Sequence, residues 1–170
     1  MRPTRILTLG EVIQYFGDPV AHLTATGEIS RAWVQTILVT QELPAPLQLL
    51  GHPGAVVTRY RCHRRVAAAF SAALARLASD PALWGTIGDW GGCYAYRTVR
   101  GAPRSPSRHS WGIAIDMDVG DNPMGSAGRV DPRMIDLMAD GGFFWGGYFK
   151  GARRDPMHWE FAAPWLLEGA

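Results

Sequence analysis

The most constraining feature of the sequence is the alternation of side chains in residues 112–118. In an extended strand, Ile113, Ile115 and Met117 lie on one face, which is apolar and suits a protein core. The opposite face carries a glycine, an alanine and then Asp116. Small residues that lead to a carboxylate are unusual in a core. The segment is therefore predicted to be a strand with one buried face and one face that forms the wall of a pocket.

Periodic segments elsewhere in the chain predict a mixture of helices and further strands. Helical spacing of apolar residues predicts helices over 9–16, 30–40, 64–79 and 131–139. Runs of strand-forming residues predict strands over 56–62, 92–99 and 156–161. The predicted fold class is α+β, with a small antiparallel sheet and helices packed on one side of it.

A second segment that carries chemistry lies at residues 155–161. In a strand, His158 and Glu160 share one face, while the aromatic residues between and after them point into the core. Asp155 precedes His158 by three residues, across a proline that restricts the turn. Like residues 112–118, this segment therefore has one polar face and one apolar face.

Two histidines and one aspartate, His109, His158 and Asp116, form a reasonable set of three zinc ligands. Zinc accepts imidazole nitrogen and carboxylate oxygen, and catalytic zinc sites keep a fourth position for water. Zinc lowers the pKa of that water and polarises a substrate carbonyl. The cofactor expected from this donor set is Zn²⁺.

Hydrolysis also needs a base and a partner for the oxyanion. Asp155 is the preferred general base, because it lies close to His158 in sequence and need not bind the metal. Arg97, which precedes the His109 loop, is the preferred cation for the oxyanion. A simple surface ion pair is the alternative interpretation of Arg97.

Other residues have supporting roles in this hypothesis. Glu160 is expected to accept a hydrogen bond from a zinc-bound imidazole, with a fourth metal ligand or a plain surface residue as alternatives. Trp145 and Tyr148, which lie among glycines, are candidate walls of a substrate groove.

The chain resembles the family of zinc D-Ala-D-Ala carboxypeptidases and dipeptidases. That family includes the vancomycin-resistance peptidases and the phage L-alanyl-D-glutamate endolysins. The matching positions fall within residues 92–161 and comprise Ser107, His109, Gly112, Ala114 and Asp116, followed by Asp155 and His158.

This resemblance implies a fold shared with Hedgehog signalling domains. It assigns zinc binding to His109, Asp116 and His158, and the base to Asp155. The family's transition-state arginine lies in a Tyr-Arg pair, which corresponds here to Tyr96 and Arg97. Ser107 corresponds to a serine that shapes the pocket.

Composition limits the class of partner and the organisation of the chain. With 170 residues, 17 basic against 15 acidic side chains and a net charge of +2, the chain suits one globular domain and not a dedicated nucleic-acid binder. We expect a monomer that has no stable membrane insertion and whose partner is the peptidoglycan stem peptide. Residues 1–46 are predicted to be a helical cap and residues 47–170 the zinc peptidase domain of the same unit, with a rigid connector at 43–47.

The N-terminus is expected to lack a secretory signal, because its apolar run is too short. The chain is thus expected to be made in the cytoplasm and to act on the cell wall only if it is released, as in phage or prophage lysis. Cys62 and Cys93 are expected to be buried thiols, although one disulfide would also be consistent with the sequence.

Several functions stay open at this point. The leading hypothesis is a zinc peptidase that acts as a D-Ala-D-Ala carboxypeptidase or as an L-Ala-D-Glu endopeptidase. A carboxypeptidase needs a cation for the substrate carboxylate, and the candidates are Arg100, Arg104, Arg108, Arg153 and Arg154. The alternatives are a zinc-containing recognition module of the same fold and a structural zinc site with Glu160 or Cys93 as its fourth ligand.

Overall fold

The computed structural model describes residues 1–99 and 101–167, with the side chains of residues 103 and 104 left out. The described helices are α1 (Leu9–Phe16), α2 (Arg31–Ile37), α3 (Ala67–Ala78), α4 (Pro81–Trp84) and α5 (Pro132–Asp140). The described strands are β1 (Leu38–Gln48), β2 (Val56–His63), β3 (Trp90–Gly92), β4 (Thr98–Val99), β5 (Ala102–Pro106), β6 (Ala114–Met117), β7 (Phe143–Trp145) and β8 (His158–Phe161).

The central element is a four-stranded antiparallel sheet with the strand order β3-β6-β8-β7. Strands β1 and β2 form a separate antiparallel pair, and β4 and β5 form another. The register between β6 and β8 places Asp116 directly opposite His158. The α+β class with small antiparallel sheets is therefore confirmed, and the sheet itself brings two of the three predicted ligands together.

Helices α1 and α3 pack on the face of the sheet opposite these two residues. The Phe70 ring of α3 lies 4.5 Å from the Phe143 ring of β7. The Phe16 ring of α1 lies 6.3 Å from the Phe161 ring of β8. Because side chains alternate along β8, Phe161 points to the helices while His158 and Glu160 point away from them. Burial of these rings makes one face of the sheet a core and leaves the other for chemistry.

Most predicted elements are found, and α1 shows why sequence signals locate them. Thr8 and Glu11 form a reciprocal capping box at its start, and Gly17 ends it at a positive φ of 84°. The helices predicted over 64–79 and 131–139 are present as α3, preceded by a 3-10 turn, and α5. The helix predicted over 30–40 begins at its Ser30 cap but ends at Ile37, where β1 begins.

The single strand predicted over residues 92–99 is wrong. Its ends belong to β3 and β4, and the residues between them have no regular structure. Their backbone groups pair instead with the turn that carries His109. The Ala95 amide donates to the His109 carbonyl at 3.1 Å, and the Ser107 amide donates to the Arg97 carbonyl at 2.8 Å.

Gly112 does not lie on a strand face that forms the wall of a pocket, contrary to the prediction from the sequence. It ends a 3-10 turn (Arg108–Trp111) at a φ of 68°, and β6 begins two residues later. A Cβ at this position would lie 3.1 Å from the backbone nitrogen of His63 and 3.2 Å from the Cα of Cys62. Ala114 is fully buried as well. A glycine is needed at position 112 because β2 packs closely against this turn.

Residues 43–47 are not a connector, because they lie inside β1. The pairing of β1 with β2 is irregular between Glu42 and Leu47, and the prolines lie at that irregularity. Leu7, Val12 and Trp33 belong to the same buried cluster as residues of the central sheet. The division into a cap at 1–46 and a peptidase domain at 47–170 stays a prediction. Among the described helices, none combines the length and apolar character that a bilayer span requires.

Candidate metal centre and catalytic cleft

Three side chains converge at one end of the central sheet. His109 is supplied by the 3-10 turn, Asp116 by β6 and His158 by β8. The His109 Nε2 atom lies 3.2 Å from Asp116 Oδ1 and 3.2 Å from His158 Nδ1. His158 Nδ1 lies 3.0 Å from the same Asp116 oxygen. The geometry thus places two imidazole nitrogens and one carboxylate oxygen around a common point, as the sequence predicted.

These separations suit one tetrahedral zinc ion. Bonds of about 2.0–2.1 Å at tetrahedral angles place neighbouring ligand atoms roughly 3.3 Å apart. The donor set, neutral imidazole and carboxylate, is also one that zinc accepts. Among the described residues, this trio is the one group of His, Cys, Asp and Glu side chains with donor atoms close enough to share an ion.

Each imidazole is oriented by a hydrogen bond at its other nitrogen. His109 Nδ1 donates to the Cys93 carbonyl at 2.7 Å. His158 Nε2 donates to Glu160 Oε2 at 3.1 Å. These bonds leave His109 Nε2 and His158 Nδ1 as the metal-facing atoms. Glu160 thus lies behind His158, and its supporting role in metal binding stays a prediction.

Two side chains of the cluster, His158 and Asp116, have shifted pKa values. Burial lowers the pKa of His158, but hydrogen bonds to Asp116 and Glu160 outweigh burial and raise the pKa to about 10. Burial raises the pKa of Asp116, but its hydrogen bonds to both histidines hold that pKa below its usual range. Before metal binds, a histidine proton therefore stabilises the buried carboxylate, and metal binding must release that proton.

Asp155 lies beside this cluster and carries an unsatisfied oxygen. Its Oδ1 atom is buried and has no hydrogen-bond partner within the described part of the chain. Burial raises the pKa of Asp155, and the negative charge of Asp116 adds to the effect, while His158 and Arg97 oppose it. A buried acceptor without a partner is costly in a folded protein, so its presence here indicates a group that meets a ligand or water in use.

Hydrogen bonds fix the backbone of Arg97, and its side chain lies in a cleft beside the cluster. The Ser110 hydroxyl accepts from the Arg97 amide at 3.1 Å and donates to the Arg97 carbonyl at 2.8 Å. The guanidinium lies 3.4 Å from Asp116 Oδ2 and is about half exposed, with 51% of its side-chain surface accessible. A cation thus stands next to the candidate metal position.

A cleft of about 340 Å³ opens over the cluster. Its polar wall includes Arg97, Ser107, Asp116, Asp155 and His158. Its apolar wall includes Ile6, Leu9, Val99, Phe149 and Met157. The cleft is large enough for a short peptide segment and combines an apolar wall with a few converging polar groups.

The remaining predicted site residues differ in whether they line the cleft. Ser107 lines the cleft and caps the turn that carries His109. Tyr96 and Trp145 are not among the cleft-lining residues of the described chain. Trp145 instead donates its indole N–H to the Pro156 carbonyl at 2.7 Å and stacks on Trp159. Trp145 thereby secures the turn between Asp155 and His158.

A closed structural zinc site would need a fourth protein ligand, and the described residues supply none. The carboxylate of Glu160 contacts Arg108 and the outer nitrogen of His158. The Cys93 thiol lies 3.6 Å from the Gly112 carbonyl and, like Cys62, is buried and free. The geometry therefore favours a site with an open position that faces the cleft.

Comparison with known proteins relates this part of the chain to one enzyme family. Residues 100–161 match the family model of D-alanyl-D-alanine carboxypeptidase. The matched range contains His109, Asp116, Asp155 and His158. No curated protein and no solved structure gives a significant match. The match supports a peptidase of this broad family and does not specify a subfamily.

Three contributors to the candidate site were missed by sequence reasoning. The Cys93 carbonyl orients His109, Ser110 holds the backbone of Arg97, and Gly146 lets the chain pass the site closely. A Cβ on Gly146 would lie 2.4 Å from the Asp155 carbonyl oxygen. Ser110 lies inside the recognised motif and could have been found there. A backbone carbonyl and a close approach leave no local sequence signal.

Proposed function

We propose that this protein is a zinc-dependent peptidase that hydrolyses peptide bonds in peptidoglycan stem peptides. One observation carries the proposal. Asp116 and His158, which cluster with His109, line a cleft together with Asp155, whose buried oxygen has no hydrogen-bond partner among the described residues. The match to D-alanyl-D-alanine carboxypeptidases supports the substrate class.

The three clustered side chains would hold the zinc ion through His109 Nε2, His158 Nδ1 and Asp116 Oδ1. When bound, zinc would polarise the scissile carbonyl and acidify the attacking water. Cys93 and Glu160 fix the two imidazole rings from behind, so little reorganisation is needed when the metal binds.

Asp155 takes the proton of the attacking water and delivers it to the leaving nitrogen. Its raised pKa brings its basicity closer to the working pH, which favours transfer in both directions. Its carboxylate lies outside the cluster of metal-binding atoms, so it remains available for this transfer.

Arg97 binds the oxygen that becomes negatively charged when the carbonyl is attacked. Its ion pair with Asp116 leaves half of the side chain exposed, so the guanidinium can turn toward substrate without disturbing the core. A positive charge in a partly buried cleft stabilises a developing oxyanion more than it would in water.

The carboxypeptidase reaction is favoured over the endopeptidase reaction by Arg153. This residue lines the cleft and is exposed, and its side chain makes no hydrogen bond or ion pair to another described residue. It therefore suits the free carboxylate of a terminal D-Ala. Of the other candidate cations, Arg108 is engaged by Glu160, while Arg100 and the side chain of Arg104 lie outside the described residues.

The setting proposed for this activity is the bacterial cell wall, reached after release from the cytoplasm during phage or prophage lysis. The monomeric state also stays a prediction. Neither point affects the chemistry of the cleft.

The experiment that tests the function is digestion of defined substrates followed by mass spectrometry. Zinc-loaded protein is incubated with a stem pentapeptide that ends in D-Ala-D-Ala and, separately, with intact peptidoglycan. Loss of one terminal alanine is expected, whereas a new amino terminus at D-Glu would indicate the endopeptidase. Absence of both products would contradict the proposal and favour a recognition module.

A further inference from the structure

Arg108 lies at the end of a buried chain of polar contacts that begins at the metal cluster. His158 Nε2 donates to one oxygen of Glu160, and Arg108 Nε donates to the other oxygen at 3.3 Å. A second guanidinium nitrogen of Arg108 donates to the Leu7 carbonyl at 2.5 Å. The side chains of Arg108 and Glu160 are only 14% and 5% exposed.

Because this chain of contacts is buried, the guanidinium of Arg108 needs partners for its hydrogen bonds, and it has two. Burying a carboxylate such as that of Glu160 is costly unless hydrogen-bonding partners surround it, and Arg108 and His158 supply them. The planar guanidinium can hold that carboxylate and a carbonyl in fixed directions at once, which an ammonium group cannot do. Glu160 then presents a fixed acceptor to His158 Nε2, and Nδ1 is left toward the metal.

The Leu7 carbonyl lies in a part of the chain that the family match does not cover. A second residue of the same 3-10 turn also binds this region, since the Trp111 indole donates to the Gly17 carbonyl at 2.7 Å. The turn that carries His109 is therefore tied to backbone on both sides of α1.

We propose that Arg108 is a positioning residue that orients His158 through Glu160 and ties the N-terminal segment, residues 6–9, to the metal site. The inference rests on the proposed metal-binding function. It gives the N-terminal residues a role in metal affinity, in addition to the wall that Ile6 and Leu9 contribute to the cleft.

The first test is zinc affinity, measured by competition with a chromophoric chelator. Arg108→Met is expected to weaken zinc binding about tenfold, the lower end of the effect of removing a group that orients a metal ligand. The matched control is Arg65→Met, because Arg65 also donates to a backbone carbonyl of this region, that of Tyr15 at 2.6 Å, without contact to the metal cluster. The control is expected to keep the wild-type zinc affinity.

A double-mutant cycle separates this chain from general destabilisation. Glu160→Gln should also weaken zinc binding, and the double variant R108M/E160Q should lose little more than E160Q alone, because both act on His158. Additive losses would overturn the proposal. Arg108→Gln takes the place of R108M in the same cycle where the methionine variant does not fold.

Nuclear magnetic resonance of the zinc-loaded protein gives a signature that a purely structural role would not produce. The Nε2–H signal of His158 should shift in R108M, while the Nδ1–H signal of His109, bonded to the Cys93 carbonyl, should stay in place. A His158 signal that does not move, or an equal loss of zinc affinity in R65M, would overturn the proposal. If the wild-type protein binds no zinc, both this proposal and the proposed function fail.

Discussion

Asp155 joins two properties that are costly together in a folded protein. One carboxylate oxygen is buried and finds no hydrogen-bond partner among the residues that the structure describes, and burial raises the pKa of the group. The fold tolerates this cost beside a cluster of three metal-binding side chains. We therefore propose that this unfavourable arrangement serves catalysis, in which Asp155 acts on the attacking water.

Asp155→Asn is expected to lower kcat about 10²–10⁴-fold, because the amide cannot accept the proton. Zinc content should stay at the wild-type level, since Asp155 is outside the metal-binding group. Asp121→Asn, an exposed aspartate in the turn after β6, is the control and should keep wild-type turnover. Turnover of D155N near wild type, with zinc still bound, would show that another group is the base.

Arg97→Ala is expected to lower kcat about 10²–10³-fold with a smaller change in KM, because its bond to the oxyanion exists mainly in the transition state. Arg59→Ala removes an exposed arginine of β2 that is not among the described cleft-lining residues, and should change neither constant. An R97A variant with raised KM and unchanged kcat would instead assign Arg97 to ground-state binding.

Side-chain alternation and donor chemistry are local, which is why the convergence of His109, Asp116 and His158 could be predicted. The partners that orient them could not all be predicted. Glu160 follows from the strand alternation, but the Cys93 carbonyl and the Leu7 carbonyl become neighbours of the site only through the tertiary fold. A backbone group carries no residue-type signal.

At the scale of elements, the turn before β6 determines where His109 lies relative to Asp116. Gly112 ends that turn at a positive φ and passes within contact distance of the β2 backbone. The sequence pattern predicted an open strand face here, because periodicity does not report what packs against a glycine.

Gly112→Ala is expected to destabilise the fold by about 2–4 kcal/mol, because strain at positive φ adds to the clash with β2. Gly125→Ala is the matched control, since Gly125 also has positive φ, 88°, but a Cβ there meets nothing within 4 Å. The control should lose only about 1–2 kcal/mol. Chemical denaturation measures both variants, and equal losses would show that packing against β2 is unimportant.

His63, at the end of β2, makes a testable contribution to the pH dependence of stability. Burial, together with Arg65 and Arg64, lowers the pKa of His63 to about 4. The unfolded chain gains this proton below about pH 6.5 while the folded chain does not. The contribution of His63 is therefore fully present above that pH and is lost as the pH falls toward 4.

His63→Asn removes this titration. It keeps an acceptor for the Arg65 amide, which in the wild type donates to His63 Nδ1 at 3.2 Å. Between pH 6.5 and 4, the free energy of unfolding of the wild type should fall by about 3 kcal/mol more than that of H63N. Urea unfolding across this range gives the comparison. Parallel pH profiles would mean that His63 takes up its proton in the folded protein.

At the scale of the whole molecule, the metal would join a loop turn to two strands of the central sheet. A small antiparallel sheet with helices on one side followed from the sequence, as did strands β2, β6 and β8. Strands β3 and β7 did not, and neither did β1. The prolines of residues 43–47 favoured a connector, but the strand accommodates them at an irregularity in its pairing. Long-range pairing decided this element, and local propensity pointed elsewhere.

Zinc is expected to stabilise the whole fold by mass action. At 100 times its dissociation constant, a ligand adds about 2.7 kcal/mol, which raises the Tm of a domain of this size by roughly 5–10 °C. Calorimetry with zinc and with a chelator measures the shift. His109→Ala should abolish it, and an unchanged shift in that variant would place the bound zinc elsewhere.

The most direct test of the central claim is a crystal structure of zinc-loaded protein with anomalous diffraction at the zinc edge. We expect one strong peak about 2.0–2.1 Å from His109 Nε2, His158 Nδ1 and a carboxylate oxygen of Asp116, with no fourth protein ligand. A peak bound by other residues, a site closed by Glu160 or Cys93, or no peak at all would contradict the account.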